Sequence, residues 1–144
     1  MRYWIEPRDP SRLFAAVLRE FEGPGAMFSF EGNLTQYPLW ALEDASDQPT
    51  DVLGRQTITP VLGFVIAPLT TRNVHLAIRS TSGPSSLGAE SPIIHGQVAV
   101  GSQLVFGAYD NFHPDCTFID RVSDAVLLRM QHEGLILRFE AAAQ

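Results

Sequence analysis

Ile93-Ile94-His95-Gly96-Gln97-Val98-Ala99-Val100 and Gln103-Leu104-Val105-Phe106-Gly107-Ala108-Tyr109 are two β-prone runs separated only by Gly101-Ser102. A Gly-Ser pair suits a two-residue hairpin turn, whose length sets the pairing register. Counting outward from it, Val98 faces Val105, Gly96 faces Gly107 and Ile94 faces Tyr109 on one side. On the other, Gln97 faces Phe106 and His95 faces Ala108. Two opposed glycines leave a gap in the sheet surface, suited to a closely packed helix or a sharp bend, with a ligand or partner side chain as the alternative.

Upstream of the hairpin, Arg2–Glu6 reads as a short strand carrying Tyr3, Trp4 and Ile5. Asp9 and Pro10 then form a helix start, as cap and first helical residue. Leu13, Phe14, Val17, Leu18 and Phe21 follow at helical spacing until Gly23-Pro24 stops it. Arg12, Arg19, Glu20 and Glu22 occupy its wet face. Ala26–Glu31 reads as a half-buried strand and Pro38–Leu42 as another. Thr57–Ala67 is apolar almost throughout, which predicts a strand covered on both faces near the sheet centre, with Pro60 placing an edge or bulge at its start. Val74, Leu76 and Ile78 alternate with His75, Ala77 and Arg79, predicting a strand that turns His75 and Arg79 away from the core. Ser80–Ser91, rich in Ser and Gly, is a long connection.

Downstream, a second helix ends near Glu133. It starts either at Thr117, with Asp120 three residues on, or at Ser123. Its expected buried stripe is Phe118, Val122, Ala125, Val126 and Met130. Gly134 stops it and Leu135–Glu140 forms the last strand. Strands gathered between two helices, without regular alternation, predict a single α+β domain over residues 1–144: a largely antiparallel sheet with two helices packed on one face.

Composition narrows the chemistry. The 144 residues are 45% hydrophobic, with nine Phe, enough for one folded core rather than a disordered chain. Cys116 is the one cysteine, so there is no internal disulfide framework, and a reducing compartment, the cytoplasm, is expected. All ten basic residues are Arg; without lysine there is neither an ammonium nucleophile nor a Walker lysine. The net charge of −6 argues against sequence-independent nucleic-acid binding. The longest apolar run, Val61–Leu69, is broken by Gly63 and Pro68 and falls short of the ~20 residues of a membrane helix. The N-terminus lacks the apolar core of a secretion signal. No cofactor is expected, because the Gly-rich Thr81–Gly88 stretch has neither a P-loop nor a GxGxxG pattern.

Two segments are candidates for function. Glu43, Asp44, Asp47 and Asp51 crowd one exposed loop just after Trp40, combining an aromatic anchor with a field that attracts a basic partner; the plainer reading is a solvated loop. Tyr109, Asp110 and His113 lie in Tyr109-Asp110-Asn111-Phe112-His113-Pro114-Asp115-Cys116, which leaves the hairpin. Asp110, His113, Asp115 and Cys116 have ligand-type side chains but no metal-site spacing, and no metal is expected. In the plainer reading Asp110 and Asn111 satisfy turn backbone, Phe112 anchors the loop and Asp115 meets the next helix's N-terminus. A Cys116 pair with His95 or His113 requires a convergence that sequence does not supply.

The segment Phe106-Gly107-Ala108-Tyr109-Asp110-Asn111-Phe112-His113-Pro114-Asp115-Cys116 resembles segments of small bacterial immunity proteins that accompany contact-delivered or polymorphic toxins. The resemblance covers 11 of 144 residues and contains no catalytic motif. It implies a stoichiometric inhibitor that occludes the active site, or an adjacent exosite, of a cognate protein toxin. Together with the acidic charge it leads to an expected function: a non-enzymatic, immunity-type protein neutralising a basic toxin such as a nuclease. Trp40, Glu43, Asp44, Asp47 and Asp51 form the main expected contact, and Tyr109, Asp110 and His113 the second. The rival is a small enzyme or ligand-binding domain using Asp110–Cys116 and His95. A third possibility is a self-associating protein with a symmetric apolar interface.

Overall fold

The computed structural model describes residues 1–143. Seven strands form one sheet: β1 (Arg2–Pro7), β2 (Ala26–Gly32), β3 (Gly63–Pro68), β4 (Ile93–Val100), β5 (Gln103–Ala108), β6 (Thr117–Asp120) and β7 (Ile136–Ala141). Their order is β3-β2-β4-β5-β6-β1-β7, and every neighbouring pair is antiparallel. Three helices, α1 (Pro10–Phe21), α2 (Thr71–Ser80) and α3 (Asp124–His132), complete the α+β domain.

The opening helix forms where its sequence signals put it. Asp9 accepts the Arg12 amide as N-cap, Pro10 sits in the first turn, and Leu13, Phe14, Val17 and Leu18 are buried. One apolar cluster joins these residues with Val74 and Ala77 of α2, with Leu127 and Met130 of α3, and with Ile5, Phe28, Phe30, Val98, Phe106 and Ile119 of the sheet. Phe14 lies at its heart, in contact with the rings of Phe30, Phe106 and Phe112.

Several expectations are corrected. Thr71–Ser80 is a helix, making three rather than two. Thr70 caps it by accepting the Asn73 amide, and Asn73, Val74 and Ala77 are its buried residues. The six-residue alternation at Val74–Arg79 fits a strand, but 73, 74 and 77 also fit one helical face, and the Thr70 cap decides between them. His75 and Arg79 are exposed on either reading. Pro38–Leu42 is a single 3-10 turn at Leu39–Ala41 rather than a strand. Thr117 does not start a helix: Thr117–Asp120 is β6, and Ser123 caps α3. Leu127 replaces the exposed Ala125 in that helix's buried stripe. Gly134, at φ 78°, ends it as expected, with the Leu135 amide bonded back to Met130.

The strand expected over Thr57–Ala67 begins only at Gly63 and lies at the sheet's edge, not near its centre. Cover on both faces holds only for Phe64–Ala67, Ile58 and Val61 being 87% and 76% exposed, and its cause differs. Val65 and Ala67 face the helices, whereas Phe64 and Ile66 are covered by Leu53 of the acidic loop, which reaches over the opposite face to touch Ala99 as well. Ser46 exchanges both backbone hydrogen bonds with Ile66 and shields part of the open edge.

The hairpin keeps the expected register only next to its turn, with Val100 opposite Gln103 and Ala99 opposite Leu104. A bulge then shifts it, so that Val98 faces Phe106, Gln97 faces Gly107 and Gly96 faces Ala108. One extra residue exchanges the faces of every β5 side chain beyond it. The glycines are therefore not opposed. Gly96 admits Phe14 of α1, whose ring edge lies 3.2 Å from where a Cβ would stand. Gly107 looks out on the other face, against Phe118 and Tyr109.

Candidate functional site

The face of the sheet away from the helices carries polar side chains at its centre. Alternation places Ser29 and Glu31 of β2 beside Gln97 and His95 of β4, as the pairs Ser29–Gln97 and Glu31–His95. All four are buried, Glu31 at 2% and His95 at 4% exposure. Burial of this kind requires partners. Glu31 accepts the backbone amides of Gln56 at 2.7 Å and Thr57 at 3.1 Å, tying the end of the acidic loop to the sheet. Thr57 Oγ1 lies 2.8 Å from His95 Nε2, and His95 Nδ1 accepts the Asp110 amide at 3.2 Å. Since an amide can only donate, Nδ1 carries no proton, and Nε2 donates to the threonine hydroxyl. Burial lowers the His95 pKa, against the opposing pull of Glu31 and Asp110.

The bulge brings Tyr109 to this face. Its hydroxyl accepts from Gln97 Nε2 at 3.1 Å, Gln97 Oε1 accepts from Ser29, and its ring meets His95 edge-on. Burial raises the Tyr109 pKa above its ordinary value. Farther along the face, Arg2 stacks on the Phe118 ring at 3.8 Å and grips both oxygens of Asp120.

The Asp110–Cys116 segment divides its side chains. Asp110, Asn111 and Phe112 take consecutive left-handed conformations, with φ 52°, 59° and 62°. This turn sends Phe112 into the core and Asn111 Nδ2 to the carbonyls of Gly88 and Ser91. Asp110 and His113 are exposed; His113 Nδ1 accepts the Asp115 amide. Asp115 thus stays within its own turn instead of meeting a helix N-terminus, since β6 follows it. Cys116 Sγ lies 3.7 Å from Asp110 Oδ2, so the thiol meets a carboxylate rather than an imidazole. Burial, followed by the Asp110 charge, raises its pKa, the opposite of nucleophile activation. Among the described residues no three His, Cys, Asp or Glu side chains converge as metal ligands. An open cleft of about 380 Å³ beside this segment is lined by Trp4, Pro114, Asp115 and Arg138, among others.

The acidic loop is exposed over Glu43–Asp51 yet firmly attached. At its start the buried Asn73 side chain accepts the Glu43 amide and donates to the carbonyls of Glu43 and Pro68. Ser46 is bonded to the β3 edge, Leu53 is inserted beneath the loop, and Glu31 holds its far end. Glu43 lies 3.9 Å from Arg72; among the described residues Asp44, Asp47 and Asp51 have no arginine partner. Trp40 is 88% exposed, on the 3-10 turn beside α2.

The two candidate segments therefore approach one another through Thr57 and His95. Sequence reading did not assign Glu31, Gln97 or Thr57 to a site, although polar residues at alternate positions, 29 and 31 then 95 and 97, were the signal for a polar strip on one sheet face. Comparison of the chain with family models, curated proteins and solved structures gives no match. No described helix is long and apolar enough to cross a membrane.

Proposed function

We propose that this protein is an immunity-type inhibitor that binds a basic protein toxin, such as a nuclease, and occludes it stoichiometrically. The observation that carries the reading is the acidic loop: its carboxylates face solvent while its backbone is pinned to α2, β3, β2 and the sheet face below. A loop already ordered before binding loses less entropy on docking, and uncompensated carboxylates speed encounter with a cationic surface. Asp44, Asp47 and Asp51 steer, Glu43 and the exposed Trp40 contact, and Tyr109, Asp110 and His113 serve as a second patch. Carboxylates can occupy a nuclease's phosphate-binding positions, the chemistry such a partner recognises.

The test is direct. The protein is mixed with toxins encoded beside its gene, and complex formation and protection of toxin-expressing cells are measured. A 1:1 complex is expected, with association slowed at least tenfold at low salt in the triple variant Asp44→Asn, Asp47→Asn, Asp51→Asn. Absence of both complex and protection removes this reading.

One observation favours the rival, a ligand-binding or catalytic domain built on Asp110–Cys116: three successive left-handed non-glycine residues are costly, and such strain gathers at functional sites. That role requires His113→Ala to abolish it.

A further inference from the structure

Of the sheet's two edges, β3 is partly shielded by Ser46, whereas β7 pairs with β1 on one side and with no strand on the other. Arg138–Ala141 of β7 run regularly against Tyr3–Glu6, and the bulge of that ladder, between Glu6 and Pro7, lies beyond them. The ladder fixes which backbone groups are free. Ala142 donates to the Arg2 carbonyl, so by antiparallel alternation Glu140 and Arg138 also bond to β1, while Phe139 and Ala141 turn their N–H and C=O groups outward. The Leu137 carbonyl is turned the same way, and accepts from the Gln131 side chain of α3 at 2.9 Å. An open edge of this kind is a template for another strand.

The charges on β7 choose the strand and its register. A symmetric antiparallel pair of two β7 strands centred on Arg138 or on Glu140 sets like charges face to face. Centred on Leu137 or Ala141, it gives neither charge an opposite partner. Centred on Phe139, it sets Arg138 opposite the partner's Glu140 and Glu140 opposite the partner's Arg138, both in non-hydrogen-bonded pairs, where side chains stand closest. In that same register the outward groups of Phe139 meet those of the partner's Phe139, and the Ala141 amide meets the partner's Leu137 carbonyl. Charge and backbone therefore agree on one arrangement. Glu6, which holds Arg138 from β1 at 2.6 Å, carries the alternation of sign across the seam, from Glu6 through Arg138 to the partner's Glu140.

Apolar surface gathers at the same edge. Leu128 and Leu137 are 55% and 50% exposed, among the few large hydrophobic side chains left in water. Leu128 shares with Gln131, three residues on, the flank of α3 turned to β7, while Arg129 on the other flank reaches Glu20 of α1. We infer that β7 is the interface of a two-fold dimer of this chain, in which two sheets join edge to edge through antiparallel β7 strands centred on Phe139. β7 lies at the opposite end of the sheet from β3 and the acidic loop bonded to it. The dimer therefore leaves that loop free, and the inference does not rest on the toxin reading.

Sedimentation velocity of the full chain, from about 1 μM to about 1 mM, should show reversible growth from one chain mass to two. Arg138→Glu and Glu140→Arg each place two like-charged pairs across the seam and are expected to weaken dimerisation at least tenfold. Mixed in equal amounts, the two variants should associate with each other at least as tightly as the parent with itself, because every opposed pair is again of opposite sign. Neither misfolding nor a general change of charge produces that rescue. Ala141→Pro removes an outward amide and leaves the β1 ladder intact, so it should abolish the dimer with the far-ultraviolet circular dichroism unchanged. A single chain mass at every concentration, a dimer that survives Arg138→Glu or Ala141→Pro, or no association between the mixed variants overturns the assignment.

Discussion

Gly107 shows how one small residue holds the polar face together. A Cβ built there would lie 2.5 Å from Phe118 Cε1 and 2.7 Å from the Tyr109 hydroxyl, so the absence of a side chain lets the two rings close over β5. Gly107→Ala forces either Phe118, packed beneath Arg2 and Trp4, or Tyr109, bonded to Gln97, to move. Overpacking of this kind costs about 1–3 kcal/mol. A urea unfolding curve should show a lowered midpoint at unchanged slope, with a weakened Gln97–Tyr109 contact visible in the tyrosine's ultraviolet absorbance. The sequence pointed to a closely packed helix or a sharp bend at Gly96 and Gly107; Gly96 does meet a helix, through Phe14, whereas Gly107 meets the Phe118 and Tyr109 side chains instead. Their placement on one face was misread because a bulge at Val98/Ala99 has no turn-type signature in a run as uniform as Ala-Val…Leu-Val-Phe.

At the scale of elements, α2 and the acidic loop depend on each other. Asn73 is fully buried on the helix, and its amide fills three bonds with loop and strand-end backbone. Asn73→Ala strands the Glu43 amide and two carbonyls; about 2–3 kcal/mol of stability should be lost. Hydrogen exchange should quicken at Glu43 and through the acidic loop more than in the sheet. Under the proposed function, the same variant weakens toxin binding without removing a single charge. The helices with strong start and stop residues, α1 and α3, were legible in outline, because Asp9-Pro10, Ser123 and Gly134 act locally. α2 was not, since six alternating residues satisfy both periods and the deciding Thr70 lies outside the alternation. Likewise the apolar run Thr57–Ala67 showed the burial of its last four residues but neither the exposure of Ile58 and Val61 nor its place in the sheet: a lid residue, Leu53, supplies cover over Phe64 and Ile66.

Across the whole molecule the two sheet faces are held by different physics. One is sealed by three apolar helix faces, which do not titrate. The other combines a small apolar cluster with a polar strip, in which Glu31 and His95 fasten the acidic loop and the Asp110 turn. Stability therefore acquires a pH dependence from the second face. His95 is neutral in the fold because burial lowers its pKa below 6.5, while Glu31 and Asp110, the charges facing it, oppose that shift only in part. Below about pH 6.5 the unfolded chain binds a proton that the folded chain resists, so unfolding free energy falls as pH drops from there toward the folded pKa; above pH 6.5 this contribution is constant. A proton on Nδ1 would also set two donors, imidazolium and the Asp110 amide, against each other. Urea unfolding at a series of pH values from 5 to 8 should give a plateau above about 6.5 and a decline beneath it, no steeper than the roughly 1.4 kcal/mol per pH unit that one proton allows. In His95→Gln the part of that decline above pH 5 should flatten. An equal decline in the variant would assign the pH dependence to other groups and leave His95 a spacer in the strip.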